Sequence, residues 1–87
     1  MSCYIISCDV QNSQNHERLR EAIKRYGTWA RITDSTWAVV TDDEAEEVRD
    51  YLLKVLDEDD RLFVVRSGVA AAWKNVRCRD EWLKKHL

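Results

Sequence analysis

Short runs of apolar residues, separated by polar turns, predict strands and amphipathic helices in alternation along the chain. Residues 2–8 are apolar or small and predict a strand, which Asp9 closes before the polar turn 11–15. The next segment has apolar residues at the i, i+3, i+4, i+7 spacing of a helix that packs one face inward: Leu19, Ala22, Ile23 and Tyr26. Gly27 suits the left-handed position that ends such a helix, so we expect the first helix over about residues 14–26.

Two further strands and a second helix follow. Residues 28–33 and 36–41 are rich in β-branched and aromatic side chains, and the short polar pair between them predicts a hairpin. Asp42 has the side chain of an N-cap, and acidic residues fill the first turn behind it, where the helix dipole favours them. Apolar residues at helical spacing then predict the second helix over about residues 43–56.

The last part of the chain predicts a fourth strand and a C-terminal appendage. Residues 61–67 predict the strand, and Gly68 permits a bend into the appendage, residues 69–87. Within it, residues 69–73 predict a short extended segment and residues 79–87 a final short helix. The order β-α-β-β-α-β is that of a ferredoxin-like α+β sandwich, with four antiparallel strands and both helices on one face.

Alternation along the first strand predicts which side of the sheet each residue faces. Tyr4 and Ile6 point toward the helices, whereas Cys3 and Ile5 point to the other side. The fourth strand is also apolar on both sides, so the second face of the sheet needs cover that the two helices do not supply. Two copies stacked sheet to sheet about a two-fold axis supply it, and we expect a homodimer. The appendage offers an alternative, by folding back or by pairing with the partner's edge.

Asp9 is the candidate catalytic residue. It shares the second face with Ile5 and Ser7, so the two-fold axis of a dimer would bring it toward its own copy. Two close carboxylates repel unless a proton or a divalent cation lies between them, and oxygen ligands suit Mg²⁺ or Mn²⁺, which hold phosphate and activate water. In the alternative interpretation, Asp9 only ends the strand and accepts hydrogen bonds from turn N–H groups, or Arg66 neutralises it across the dimer. His16 is a candidate general base.

Composition is that of a globular protein with one domain. A chain of 87 residues has room for one core, and 45% hydrophobic with 34% charged residues is an ordinary balance. No segment reaches the roughly 20 apolar residues of a membrane span and no secretion signal is recognisable, so we expect a cytoplasmic location. The three cysteines lack zinc-ligand spacing and are odd in number, which favours reduced thiols.

Charge is uneven along a chain whose formal net charge is only −2. Ten of the sixteen acidic residues lie between residues 42 and 60, where helix-start chemistry and a solvated face largely explain them. The C-terminal segment instead collects basic residues: Lys74, Arg77, Arg79, Lys84 and Lys85. A solvated face is the simpler interpretation of this run, and a nucleic-acid-binding tail that contacts phosphates is the sharper one. Trp73 and Trp82, close to the tail, either make exposed contacts or anchor it to the sheet.

Over about residues 2–73, the chain resembles the small ferredoxin-like subunit of the CRISPR adaptation machinery and its VapD-like toxin relatives. The similarity lies in four segments: Tyr4-Ile5-Ile6-Ser7-Cys8-Asp9-Val10, the helix closed by Gly27, the hairpin Asp34-Ser35-Thr36-Trp37, and Leu62-Phe63-Val64-Val65. The hairpin and the Ala-Ala-Trp at residues 71–73 look more like the SinR-like branch. The resemblance implies a homodimer and, for some members, metal-dependent cleavage of RNA or DNA, and the family's metal aspartate maps onto Asp9.

Two functions from different classes follow as expectations. The first is a dimeric, Mg²⁺- or Mn²⁺-dependent endonuclease, in which Asp9 of each chain is catalytic and binds the metal. The second is a catalytically silent dimer that binds nucleic acid or a protein partner, in a toxin–antitoxin or defence system. Two observations count against the endonuclease: each chain has a single candidate acid, and the net charge is weakly negative.

Overall fold

The computed structural model describes residues 1–87 and contains four strands and three helices. The strands are β1 (Ser2–Asp9), β2 (Trp29–Thr33), β3 (Thr36–Thr41) and β4 (Arg61–Arg66). The helices are α1 (Ser13–Lys24), α2 (Ala45–Leu53) and α3 (Asp80–His86). Their order along the chain is β1-α1-β2-β3-α2-β4-α3, as the sequence predicts.

The four strands form one antiparallel sheet with the spatial order β2-β3-β1-β4. The first strand is central: Ile6 lies opposite Trp37 of β3 on one side and opposite Val64 of β4 on the other. The outer strands β2 and β4 are the two edges of the sheet. This order of strands, with its connecting helices, is compatible with a small ferredoxin-like fold. The homodimer stays a prediction.

One face of the sheet packs against α1 and α2 and holds the main core. As predicted, Tyr4 and Ile6 are buried on this side. The core contains ten buried residues from both layers: Tyr4, Ile6, Cys8, Leu19, Ala22, Ile23, Trp37, Val39, Val48 and Leu52. Helix α2 packs on β4 and α1 packs beside α2, so the two amphipathic stripes meet over the centre of the sheet.

The first helix begins and ends close to its predicted limits. Its N-cap is Asn12, whose side-chain oxygen accepts a hydrogen bond from the Asn15 amide at 2.7 Å. Gly27 follows the helix with φ of 84°, a left-handed conformation that a residue without Cβ adopts at little cost. The hydrophobic spacing and the glycine therefore located α1 correctly.

The second helix is shorter than predicted, and its predicted N-cap was wrong. It begins at Ala45, with Glu44 as N-cap and Glu47 completing a capping box, in which the Glu44 amide donates to the Glu47 carboxylate at 2.8 Å. Asp42 instead lies 3.4 Å from the amino group of Met1. Several acids in succession could each cap a helix, and the reciprocal pair that forms two hydrogen bonds is the one used.

The second face of the sheet is covered only in part, by the C-terminal segment 67–87 folded back in the same chain. The Arg77 amide donates to the Ile32 carbonyl of β2 at 2.9 Å, and Leu83 of α3 is only 1% exposed. Ala30 of β2 and its partner on β3, Ala38, are buried beneath this cover. Phe63, at the other edge of the sheet, remains 63% exposed, so the cover stops short of β4.

Part of the segment before α3 departs from the prediction. Residues 69–73 form no strand, and the chain reaches α3 through irregular backbone in which Asn75 has φ of 56°. Trp73 secures this stretch, because its ring N–H donates to the Asp80 carboxylate at 3.1 Å. None of the three helices has the length and apolar character of a membrane span.

Candidate functional site

Asp9 lies at the end of β1 on the face away from α1 and α2, as predicted. In the sheet register it stands opposite Arg61 of β4, and its carboxylate is 3.6 Å from the Arg61 guanidinium. The Asp9 side chain is 60% exposed and that of Arg61 is 83% exposed. An ion pair so open to water is weak, so the carboxylate is accessible to other cations.

The sequence-based role of Arg66 was wrong. The register sets Arg66 opposite Tyr4, and Tyr4 belongs to the core on the helix side. Because side chains alternate along a strand, Arg66 points to the side of the sheet opposite to Asp9. Arg61 lies five residues earlier on β4. Its side chain points to the same side of the sheet as Asp9, and it stands directly opposite Asp9 in the register, so its guanidinium reaches the Asp9 carboxylate.

A polar network supports the loop that follows Asp9. The Asp60 carboxylate accepts hydrogen bonds from the amides of Asp57 at 2.9 Å and Gln11 at 3.0 Å, and from the side chain of buried Asn15 at 3.2 Å. These donors, the two backbone amides above all, hold the pKa of Asp60 below its ordinary value of 3.8. The network ties the β1–α1 loop to the α2–β4 loop, on either side of the Asp9–Arg61 pair.

The acids near Asp9 do not gather into a metal-binding cluster within one chain. No three side chains of histidine, cysteine, aspartate or glutamate come together in a way that could hold an ion. Asp60 is engaged with the loop donors, and His16 lies half-buried in the first turn of α1 and makes no side-chain hydrogen bond. A metal site built on Asp9 would need further ligands from outside this chain.

The predicted basic residues of the tail are all on the surface, in two groups. Arg77 and Arg79 lie beside β2, and the Arg77 guanidinium is 3.0 Å from the Asp34 carboxylate in the β2–β3 turn. Lys84 and Lys85 lie in the last turn of α3, where a positive charge also suits the helix dipole. Lys74 is exposed in the irregular stretch before them.

The docked tail creates a groove along the edge strand β2. The groove has a volume of about 370 Å³. It is lined by Trp29, Ala30, Arg31, Arg77, Cys78, Arg79 and Trp82. Burial raises the pKa of the Cys78 thiol and favours its neutral form, so the tail side of the groove presents the two guanidinium groups of Arg77 and Arg79, the Trp82 indole and a neutral thiol.

Three of the groove residues were recognised from the sequence. Arg77, Arg79 and Trp82 were candidates, whereas Trp29 and Arg31 were not. Trp29 does pack against buried Trp37, with ring centroids 5.8 Å apart, but it also lines the groove. No local signal marks these residues, because the groove exists only once the tail has docked on β2.

Comparison with protein-family models and with curated proteins gives no match to this chain. The fold and the two surfaces, the Asp9 end of β1 and the groove beside β2, are therefore the basis for inferring function.

Proposed function

We propose that this protein binds nucleic acid through the surface formed by its C-terminal segment. The observation that carries the proposal is the separation of charge across the sheet. The helix side includes α2 and its flanking turns, where residues 42–60 hold ten acids and only two basic residues. The segment 69–87, folded over the opposite side, holds five basic residues and two acids.

This separation supplies a local positive surface that the net charge of −2 conceals. Phosphate groups are attracted to clustered lysines and arginines, and binding is strengthened by release of the counterions that the phosphates had condensed. The acidic α2 and its flanking turns repel the same ligand, so a nucleic acid approaches from the C-terminal side. Lys84 and Lys85 make no ion pair within the chain, which leaves both ammonium groups free for phosphate.

The test is the salt dependence of binding to RNA and DNA, with Lys84→Glu/Lys85→Glu as the variant. We expect wild-type affinity to fall steeply with salt and the variant to bind at least about tenfold more weakly with a shallower salt slope. Arg18→Glu/Lys54→Glu is the matched control, because both residues are exposed on the helix side and neither forms an ion pair. Equal binding by wild type and the tail variant, at equal stability, would contradict the proposal.

A second candidate function, metal-dependent cleavage, is favoured by what surrounds Asp9. Phe63 and Val65 remain exposed on the same face of the sheet as Asp9, beside Arg61. A second copy docked about a two-fold axis would cover these two residues and bring the two Asp9 carboxylates toward each other. A carboxylate is a suitable ligand for Mg²⁺ or Mn²⁺, which when bound would polarise a phosphate and activate water. Arg61 competes with such an ion for Asp9.

This candidate is tested by cleavage of labelled single-stranded RNA and duplex DNA during titration of Mn²⁺ and Mg²⁺. We expect wild-type protein to cleave and Asp9→Asn to be inactive while both have the mass of a dimer by light scattering. Asp59→Asn is the control for loss of one exposed acid, since Asp59 makes no hydrogen bond or ion pair. Activity that survives in a dimeric Asp9→Asn protein, or no activity in the wild type, would rule out a catalytic role for Asp9.

A further inference from the structure

We propose that the groove beside β2 is a binding site for single-stranded nucleic acid, with an unpaired base stacked on Trp82 and neighbouring phosphates held by Arg77 and Arg79. This inference rests on the proposed nucleic-acid binding and assigns it to a particular site and strand type. It brings in Trp82, an aromatic residue outside the basic run of the tail.

The groove is held in shape by both of its sides. One side is the edge strand β2, whose small, buried Ala30 faces the docked tail, while the side chains of Trp29 and Arg31 alternate to the helix side of the sheet. The other side is the segment from Arg77 to Trp82, which the Arg77 amide joins to the Ile32 carbonyl at 2.9 Å. Because α3 is anchored by buried Leu83, the position of Trp82 in the groove is set by packing.

Arg77 and Arg79 supply the guanidinium groups on the tail side of the groove. Arg79 forms no ion pair. Arg77 is paired with the Asp34 carboxylate, and Asp80 also lies close to the groove, beside Cys78. Arg31 is engaged elsewhere, because its guanidinium lies 5.2 Å from the centroid of the Trp37 ring and donates to the Asp34 carbonyl at 3.1 Å. Planar guanidinium groups suit phosphate because each can donate two parallel hydrogen bonds to it.

The aromatic residues are the reason for choosing a single strand over a duplex. Trp82 is half-buried, and one turn later along α3 the His86 ring packs against it, with centroids 4.5 Å apart. An indole that is held in this way can stack with any unpaired base, whereas the bases of a duplex already stack on one another. An acidic peptide would use the arginines but would gain little from the indole.

The experiment measures binding of a fluorescent single-stranded oligonucleotide, the matching duplex and a polyglutamate peptide of similar charge by the full-length protein. We expect the single strand to bind most tightly. Trp82→Leu is expected to weaken single-strand binding at least about fivefold, the loss of one stacked base. Arg79→Gln, which removes an unpaired charge, is expected to lower the salt slope by about 0.7 for one phosphate contact. Arg66→Gln, on the opposite edge of the sheet, is expected to bind as wild type does.

Three results would overturn the inference. If Trp82→Leu and Arg79→Gln both bind within twofold of wild type while Lys84→Glu/Lys85→Glu is weakened, nucleic acid binds to the tail but outside the groove. If polyglutamate or duplex binds as well as the single strand, the groove is a general anion site. If wild type binds no nucleic acid at any salt concentration, the groove assignment fails together with the proposed function. Because Trp82→Leu could unseat α3, Arg79→Gln provides the test that leaves packing intact.

Discussion

The two faces of the sheet are closed by different means. On one face, α1 and α2 contribute aliphatic side chains to a continuous core with Tyr4, Ile6 and Trp37. On the other face, the C-terminal segment is attached by one buried leucine, the Arg77–Asp34 ion pair and the hydrogen bond from the Arg77 amide to the Ile32 carbonyl. Burial of apolar surface is the dominant favourable contribution to folding, so stability resides mainly on the helix side.

The stable helix side of the molecule is thus separate from the C-terminal side that carries the proposed binding surface. A helix of seven residues is not stable alone, so α3 depends on its contacts with the sheet. The same loosely attached segment carries four of the ten lysine and arginine residues that form no ion pair, and one side of the groove. Binding surfaces and mobile segments are commonly drawn from the least stable part of a fold.

The largest effect is expected for a truncation in the helix-side core. Leu52→Ala should lower the free energy of unfolding by about 2–5 kcal/mol, because Leu52 is fully buried and the change leaves a cavity. Leu53→Ala is the matched control on the same helix, since Leu53 is 45% exposed. Urea denaturation of the three proteins measures the difference. Equal losses for the two variants would contradict the assignment of the core to this face.

The same truncation on the other face is expected to cost less. Leu83→Ala should lower stability by about 2 kcal/mol or less, because the segment can open locally without unfolding the sheet. Hydrogen exchange should show lost protection confined to residues 77–87, with the amide of Arg77 among the first to exchange. Val69→Ala, a change at a fully exposed residue of the same segment, should have little effect. Loss of protection throughout β1 and β3 in Leu83→Ala would show that the two faces unfold together.

A smaller effect is expected at the loop network beside Asp9, and it depends on pH. The folded state lowers the pKa of Asp60 from its ordinary 3.8, so the stabilisation is fully present above pH 3.8 and is lost as pH falls through the lowered value. Asp60→Asn should therefore be less stable than wild type at pH 6 and should show a weaker dependence of stability on pH in the acid range. Asp59→Asn is the control. Parallel acid unfolding curves for wild type and Asp60→Asn would contradict this account.

The smallest effect is expected for the hydroxyl of Tyr26. Its Oη is buried without a hydrogen-bond partner, whereas the hydroxyl of Tyr51, whose ring packs edge-on against Tyr26, donates to the Ala22 carbonyl at 3.3 Å. Tyr26→Phe should thus be neutral or slightly stabilising, and Tyr51→Phe should lose about 0.5–1.5 kcal/mol. Thermal unfolding of both variants measures the contrast.

Ionisation of Tyr26 also makes the stability of the folded protein depend on pH in the alkaline range. Burial raises the pKa of Tyr26 to about 12 from an ordinary value of 10. The buried hydroxyl therefore leaves stability unchanged by pH below pH 10 and lowers it as pH rises from 10 toward 12, because the unfolded chain releases the proton first. Tyr26→Phe should remove this part of the alkaline destabilisation, and an unchanged alkaline limb would show that other groups cause it.

The elements of the fold could be predicted from local patterns, since alternation and helical spacing are properties of neighbouring residues. The hairpin β2–β3, α1 with Gly27 and the helix-facing side of β1 all follow from such patterns. The N-cap of α2 could not be chosen among several acids, because the choice depends on which pair forms two reciprocal hydrogen bonds. The partner of Asp9 was missed for a related reason, since register between β1 and β4 is a property of two distant segments.

The candidate sites depend even more on contacts between distant segments, which local sequence patterns do not predict. Asp9 could be placed on its face from the parity of one strand, and the basic tail could be recognised from composition. The groove could not be predicted, because the edge strand β2 and Arg79 come together only through the backbone contact between Arg77 and Ile32. No helix or strand pattern encodes that contact.

The unpaired edge of β4 has a consequence for how the chain behaves before and during folding. An exposed edge strand with apolar residues such as Phe63 and Val65 is a template on which another chain can add a strand and aggregate. Arg61 and Arg66 place a positive charge at each end of this run, and an antiparallel meeting of two such strands would set arginine near arginine. The two arginines thus act as gatekeepers, and replacing both by neutral residues is expected to reduce the yield of soluble protein.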